Sequence, residues 1–502
     1  MYKSFLFLAG CIAVGGLLHA QTSVDRDVLA KMRAEGTERS KAARVFDMLT
    51  VAIGPRLTAS PAHKRAADFA RAELAADGLA NPRLEAWPFA RGWTLDKLTI
   101  EMVEPHYMPL IGYAEGWSPS TSGEIVAAPI WIAGKTADQV EAMRDRLKGA
   151  IVMSQPILTN FVRKDRVDPS APDYVSPPPA PAGRGGGRGA NPDAQRIARV
   201  LRESGAGVLL RPSIGEHGTV FVTGRDTPGA PPSIVLSAEH YNMIARMLER
   251  QDVPVKLRVN VQATFNAGDG HAYNVLAELP GTDPALRDEV VMIGGHLDSW
   301  HTGVGATDNA DGATTVIEAM RILKATGVRP RRTIRVALWG GEEEGLLGSK
   351  AWVDEHLTGD AHAAERDKFD VYFNIDPGYG PIYGWFLERN DAVRQMFDAW
   401  LEPLKAIGAR RNVIEGIGNT DHLSFIAAGV PGFNPIQSYE GYDVRMHHTN
   451  ADTPERLNVD DIKQSAIAMA WFAYNAAMRD EKIPRAGGPG GAGRAGGAGA
   501  RR

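Results

Sequence analysis

Residues 333–344 read Thr333-Ile334-Arg335-Val336-Ala337-Leu338-Trp339-Gly340-Gly341-Glu342-Glu343-Glu344. The first seven are a short run rich in apolar and β-branched side chains, and two glycines end it, which predicts a strand over Thr333–Trp339. Three consecutive carboxylates follow the strand end. Working outward, the same arrangement recurs. Glu289–Gly294 predicts a short apolar strand that runs into Gly295-His296-Leu297-Asp298, and Asp370–Ile375 predicts another that runs into Asp376-Pro377-Gly378. Helical patterns lie between and after them, at Ala313–Lys324 and in a long amphipathic stretch over Asp460–Met478. Strand alternating with helix predicts an α/β fold, a three-layer sandwich around a mainly parallel mixed sheet. Sites in such sheets form beyond the carboxyl ends of the strands, and that is where His296 and the carboxylates fall.

Before this region, residues 26–80 read as helices. Ala66, Phe69, Ala70 and Leu74 share one face, and Gly78 acts as a stop. Leu95–Val103 alternates apolar and polar residues and predicts a strand. The stretch 107–258 has a different texture. Short β-like runs at Glu124–Val126, Ala150–Met153, Val208–Leu210 and Ser233–Leu236 mix with a helical patch at Gln195–Glu203, and no cluster of metal-ligating side chains occurs there. A Pro/Gly-rich stretch, 175–192, is too poor in apolar residues to pack a core and reads as a mobile loop. The expected organisation is one catalytic domain from residues 21–106 and 259–485, an inserted domain at 107–258, and a disordered Gly/Ala/Arg tail at 486–502.

The chain has 502 residues, 44% hydrophobic and 23% charged, with a formal net charge of −4. This is the balance of a globular protein, and it offers no electrostatic footprint for nucleic acid. The single cysteine, Cys11, excludes an internal disulfide, and because it falls in the leader read next, no thiolate metal site is expected in the mature chain. Residues 1–20 read as a signal peptide: Lys3, an apolar run from Phe5 to Leu18, and a small residue, Ala20, before the cut. Export to the periplasm or the medium follows. A second reading takes Leu8-Ala9-Gly10-Cys11 as a lipobox with Cys11 acylated. No later stretch approaches 18 apolar residues, so no integral membrane span is expected.

Each strand-end residue has an ordinary explanation as well as a chemical one. His296 could be a surface histidine beside a turn aspartate. It is also well placed as a metal ligand, with Asp298 two residues on to orient it. In Gly305-Ala306-Thr307-Asp308-Asn309-Ala310-Asp311-Gly312, Asp311 suits a helix cap, whereas Asp308 sits earlier in the loop, free to bridge two cations. Glu342 and Glu343 can divide the work, one binding metal and the other acting as general base. Asp376 could be a simple Asp-Pro turn. His447-His448 offers imidazole to a metal, but adjacent histidines do not both face one ion easily. Taken together, the histidines and carboxylates are the inventory of a two-metal hydrolytic site.

These residues resemble the co-catalytic zinc exopeptidases of peptidase family twenty-eight, most closely the carboxypeptidase Q subgroup. The resemblance rests on Gly294–Trp300 through Gly303–Asp308, on Arg329–Thr333 through Trp339, and on Glu342-Glu343. It spans about 260–478 and extends faintly to Ile53–Ser60. It implies two Zn2+ ions, with His296 and Asp376 on one, Glu343 and His448 on the other, and Asp308 bridging them. Glu342 would be the general base, and Asp298 would orient His296. His448 is preferred to His447 because the family's terminal histidine precedes a spacing that fits His448-Thr449-Asn450-Ala451-Asp452-Thr453. Asn419-Thr420-Asp421-His422 resembles a supporting segment, and Tyr439 or Tyr442 is a candidate oxyanion donor. The inserted domain resembles the family's protease-associated domain in position and texture. Two positions depart from the pattern: His301 stands where the subgroup tends to carry an acid, and Gly341 stands where alanine is usual. The implied substrate is a peptide or dipeptide. A glutaminyl cyclase-like acyltransferase and a non-catalytic receptor-like ectodomain are the alternatives. Oligomeric state is open, a homodimer included, as is the choice between amino- and carboxy-terminal cleavage.

Overall fold

The structure is a computed structural model and describes residues 25–160, 163–176, 192–250, 252–266 and 268–486. The expected signal peptide, Cys11, most of the Pro/Gly-rich stretch and all but the first residue of the tail lie outside the described residues.

The main sheet has seven strands: β1 (Ala80–Pro88), β2 (His271–Leu279), β3 (Val290–His296), β4 (Thr333–Trp339), β5 (Phe369–Asn374), β6 (Tyr379–Phe386) and β7 (Gly432–Ser438). Their spatial order is β1-β2-β4-β3-β5-β7-β6. The central four, β4-β3-β5-β7, are parallel. The flanks are antiparallel, β1 on β2, β2 on β4, and β6 on β7. The expectation of a mainly parallel mixed sheet therefore describes the centre, while the edges run the other way.

The central strands bury both faces, as a parallel sheet requires, and their side chains sort by alternation. Val291 and Ile293 of β3, Ile334, Val336 and Leu338 of β4, and Val371 and Phe373 of β5 enter one core. Helices α1 (Arg26–Glu38), α2 (Pro61–Ala76), α3 (Asp311–Ala325) and α4 (Val459–Met478) cover it. Met292, Ala337, Trp339 and Tyr372 point the other way. They meet Trp352 and Val353 of the helix Leu347–His356 and Phe425 of the helix His422–Ala427. Three layers result. In α2, Ala66, Ala70 and Leu74 are buried as expected, and Ser60 caps the helix by accepting the N–H of His63. α3 begins at Asp311. Asp311 is thus the first helical residue and not the cap expected of it; the N-cap position is Ala310, and the Gly312 N–H is shared by the side chains of Asn309 and Asp311.

Between β1 and β2 the chain leaves the main sheet and builds two more sheets. One pairs Gly92–Glu104 with Lys256–Asn266 and adds Met108–Pro109 and Ile125–Ala127. The other has five short strands, from Gly112–Ala114 to Ser233–Leu236, with a parallel centre. The expected boundaries at 106/107 and 258/259 run through the four-stranded sheet rather than along its edge. No helix among the described residues is long and apolar enough to cross a membrane.

Candidate metal centre

The parallel centre of the sheet brings the strand-end residues together. His296 is the last residue of β3, paired with Trp339 at the end of β4. Glu342 and Glu343 follow β4, and Asp376 follows β5. Asp308 lies in the tight turn Ala306–Ala310 ahead of α3, and His448 lies in the stretch between β7 and α4. His296 Nε2 is 3.2 Å from Asp308 Oδ1, 3.7 Å from Asp376 Oδ1 and 3.9 Å from Glu342 Oε2. His448 Nε2 is 2.9 Å from Glu343 Oε2 and 3.5 Å from Asp308 Oδ2. Asp308 thus turns one carboxylate oxygen to each imidazole.

These donors fit metal ions. His296 Nε2, Asp308 Oδ2 and Glu343 Oε1 are buried without a hydrogen-bond partner. His296, Asp308 and Glu343 can bring one atom each within 4.8 Å of one another, and so can His296, Glu342 and Asp376. The His296 Nδ1–H donates to the backbone carbonyl of Asp298 at 3.1 Å, which leaves Nε2 free to meet a metal ion. A buried group of carboxylates needs cations to offset its mutual repulsion. Without them the site accumulates protons. Burial, together with Asp376, Asp421 and Glu343, pushes Glu342 well above the usual carboxylate range. Burial and Asp308 push Glu343 up to about 7. Burial would raise Asp308 too, but His296 and His448 hold it below the ordinary value. His296 is held well above the usual imidazole range: burial opposes its charge, but Glu342 and the neighbouring aspartates outweigh it. His447 is also within reach of Asp308 and His448. Its Nδ1, however, meets the Arg163 guanidinium at 3.3 Å, whereas among the described residues no cation pairs with His448.

Behind the ligands lies a layer that ties distant segments together. The Asp298 carboxylate accepts the N–H groups of Glu342 and Glu343, both at 3.3 Å, and the Thr58 hydroxyl at 2.9 Å. Its side chain stands 3.6 Å from His296 Nδ1, so its carbonyl aligns the imidazole while its carboxylate fixes the glutamate pair. Asp452 accepts from Thr307 N–H and Oγ1–H at 2.7 and 2.8 Å and from Asp308 N–H at 3.2 Å, which sets the turn that carries Asp308. Arg56 is fully buried and donates to the carbonyls of Leu49, Gly54, Leu297, Val304 and Gly305. Replacing Arg56 by methionine would leave these carbonyls unsatisfied and is expected to cost roughly 3 kcal/mol or more. A denaturant titration showing unchanged stability would refute this role.

Arg56 and Thr58 are only faintly signalled in the sequence, through Ile53–Ser60, and none of their contacts is legible there. Asp421 is buried, and burial pushes it up to about 7 although the Ser349 side chain opposes the rise. Tyr439 and Tyr442 are buried with unpartnered hydroxyls. His301 turns its Nε2 to the carbonyl of Ala114 at 2.9 Å and packs against Trp93. Gly341 has φ +74°, and a Cβ there would lie 2.6 Å from the Trp87 ring, so the departure from alanine follows from local packing. A cleft of about 470 Å³ opens onto the centre. Asp308, Glu342, Glu343, Asp376 and His448 line it, with Arg166 opposite in sequence, from the excursion between β1 and β2.

Residues 274–473 match the family model described as peptidase family M28. Carboxypeptidase Q of Bos taurus is 27% identical over 476 residues, covering 93% of this chain and 90% of that protein. Leupeptin-inactivating enzyme 1 of Streptomyces exfoliatus is 35% identical over 230 residues, 42% of this chain and 50% of that protein. Among solved structures, a peptidase M28 precursor from Shewanella amazonensis SB2B superposes with a TM-score of 0.68 at 26% identity, covering 91% of this chain and 98% of the other. A zinc aminopeptidase from Bacillus subtilis superposes with a TM-score of 0.58 at 18% identity, covering 88% and 96%, and shows likeness of fold. Residues 274–473, which the peptidase family M28 model matches, hold all the strand-end residues of the candidate centre and His448.

Proposed function

We propose that this chain is an exported exopeptidase that hydrolyses the terminal bond of peptides or dipeptides with two bound zinc ions. The observation that carries the reading is Asp308, whose two carboxylate oxygens each face a different imidazole. His296 and Asp376 would hold one ion, Glu343 and His448 the other, with Asp308 between them. Ions in these positions supply acidification of a water and polarisation of the scissile carbonyl.

The protein's own groups do the rest. Glu342 takes a proton from the attacking water and returns it to the leaving amine. Asp298 keeps Glu342 and Glu343 in register through their amides, and its carbonyl holds His296 in the tautomer that presents Nε2. Tyr439 or Tyr442 is a candidate donor to the developing oxyanion. Export rests on the apolar run of residues 5–18. The two sheets between β1 and β2 are assigned to a protease-associated-like domain on their position.

One peptide of mixed sequence, supplied free, N-acetylated and C-amidated, tests the activity by mass spectrometry. Chelator-sensitive loss from one end, blocked by the cap on that end, is expected and identifies the direction. Cleavage of free dipeptides alone identifies a dipeptidase. If zinc-supplemented protein cuts none of them, the peptidase reading falls, and the cyclase and ectodomain readings take its place.

A further inference from the structure

His448 is held differently from the other proposed ligands. His296 closes a strand of the main sheet, and its ring is fixed because Nδ1–H donates to Asp298 O. His448 lies in the irregular stretch between β7 and α4, with a left-handed backbone φ of +62°, which a residue with a Cβ adopts only when its surroundings impose it. Its Nδ1 is buried and has no hydrogen-bond partner among the described residues. The usual device for orienting a ligating imidazole, a second-nitrogen hydrogen bond, is therefore missing.

The chain excursion between β1 and β2 supplies a substitute from two sides. On one side, Asp165 accepts the N–H groups of Gly441 and Val444 at 2.6 and 3.0 Å, and the Arg166 guanidinium makes two bonds to Asp443 at 2.8 and 2.7 Å. On the other, Val222 N–H donates to the His448 carbonyl at 3.0 Å, and Val220 N–H donates to Asn450 Oδ1 at 2.7 Å. Between these two bonds, Phe221 stacks on the His448 ring, with centroids 5.3 Å apart and planes at 25°. His447 and Trp300 complete the packing around that imidazole, at 3.8 and 5.9 Å.

We propose that Phe221 is a positioning residue for the metal ligand His448, so that the excursion between β1 and β2 completes the metal centre. The proposal rests on the two-zinc reading above. Stacking replaces the absent Nδ1 hydrogen bond: it limits rotation of the ring and keeps Nε2 on the side of Glu343 and Asp308.

The test compares full-length wild type with Phe221→Leu, which keeps apolar bulk without a ring face, and Phe221→Tyr, which keeps the ring. Zinc stoichiometry and affinity are read by competition with a chromophoric chelator, and thermal melts verify folding. Phe221→Leu is expected to weaken one of the two zinc ions by about 10–100-fold, the size usual for losing a group that orients a ligand. The other ion should be unaffected, and Phe221→Tyr should return the wild-type affinity. Unchanged affinity in a folded Phe221→Leu overturns the proposal, as does Phe221→Tyr losing as much as Phe221→Leu. A wild-type protein that binds no zinc overturns the two-zinc reading and this proposal with it. Zinc-loaded wild type with insensitive variants overturns this proposal alone.

Discussion

Glu342→Gln is expected to keep its zinc and to lose about 10²–10⁴-fold in kcat, the range for removing a general acid-base group. The amide has nearly the shape of the carboxylate, and the N–H of residue 342 still reaches Asp298, so the loop should hold its place. What disappears is the capacity to accept a proton. Metal content by mass spectrometry and turnover on a cleaved peptide decide the matter together. Wild-type turnover would remove Glu342 from the mechanism. Loss of metal as well as turnover would make it a ligand, an outcome its closeness to His296 and Asp376 keeps in view.

The second large effect concerns the residue between the two imidazoles. Asp308→Ala is expected to lower the affinity for both ions and abolish measurable turnover, whereas His448→Ala should lower the affinity for one ion only. Removing Asp308 takes one oxygen from the side of His296 and the other from the side of His448. It also deletes a negative charge that would offset two neighbouring dications. Zinc stoichiometry after dialysis against a weak chelator separates the two variants. Equal losses in both would argue against a bridging position, and unchanged metal content in His448→Ala would count against that ligand.

Much of this was legible in the sequence, for a physical reason. Thr333–Trp339 and the run ending at His296 are short, apolar and β-branched, as strands buried on both faces must be, and each ligand follows its strand within a few residues. The flanking strands were not legible. β1 carries Pro82 and Pro88, and β6 reads Tyr379-Gly380-Pro381-Ile382-Tyr383-Gly384; proline and glycine weaken a strand signal, and edge strands tolerate them. The supporting layer was harder still. Arg56 meets Val304 and Gly305 across about 250 residues of chain, and an arginine in a loop reads as a surface residue unless its acceptors are known. Phe221 gave no sign at all. Its partner is one imidazole 227 positions later, and an isolated bridge leaves no periodicity to read.

Pro88, the last residue of β1, pairs directly with His271, the first of β2. The excursion of residues 89–270 therefore departs from and returns to a single point on the sheet, as the loop of a hairpin does. Closing such a loop costs an entropy that grows only with the logarithm of its length, so the sheet is almost indifferent to how much chain hangs there. This rung is a docking port: a module of another size is expected to leave the register of the seven strands unchanged.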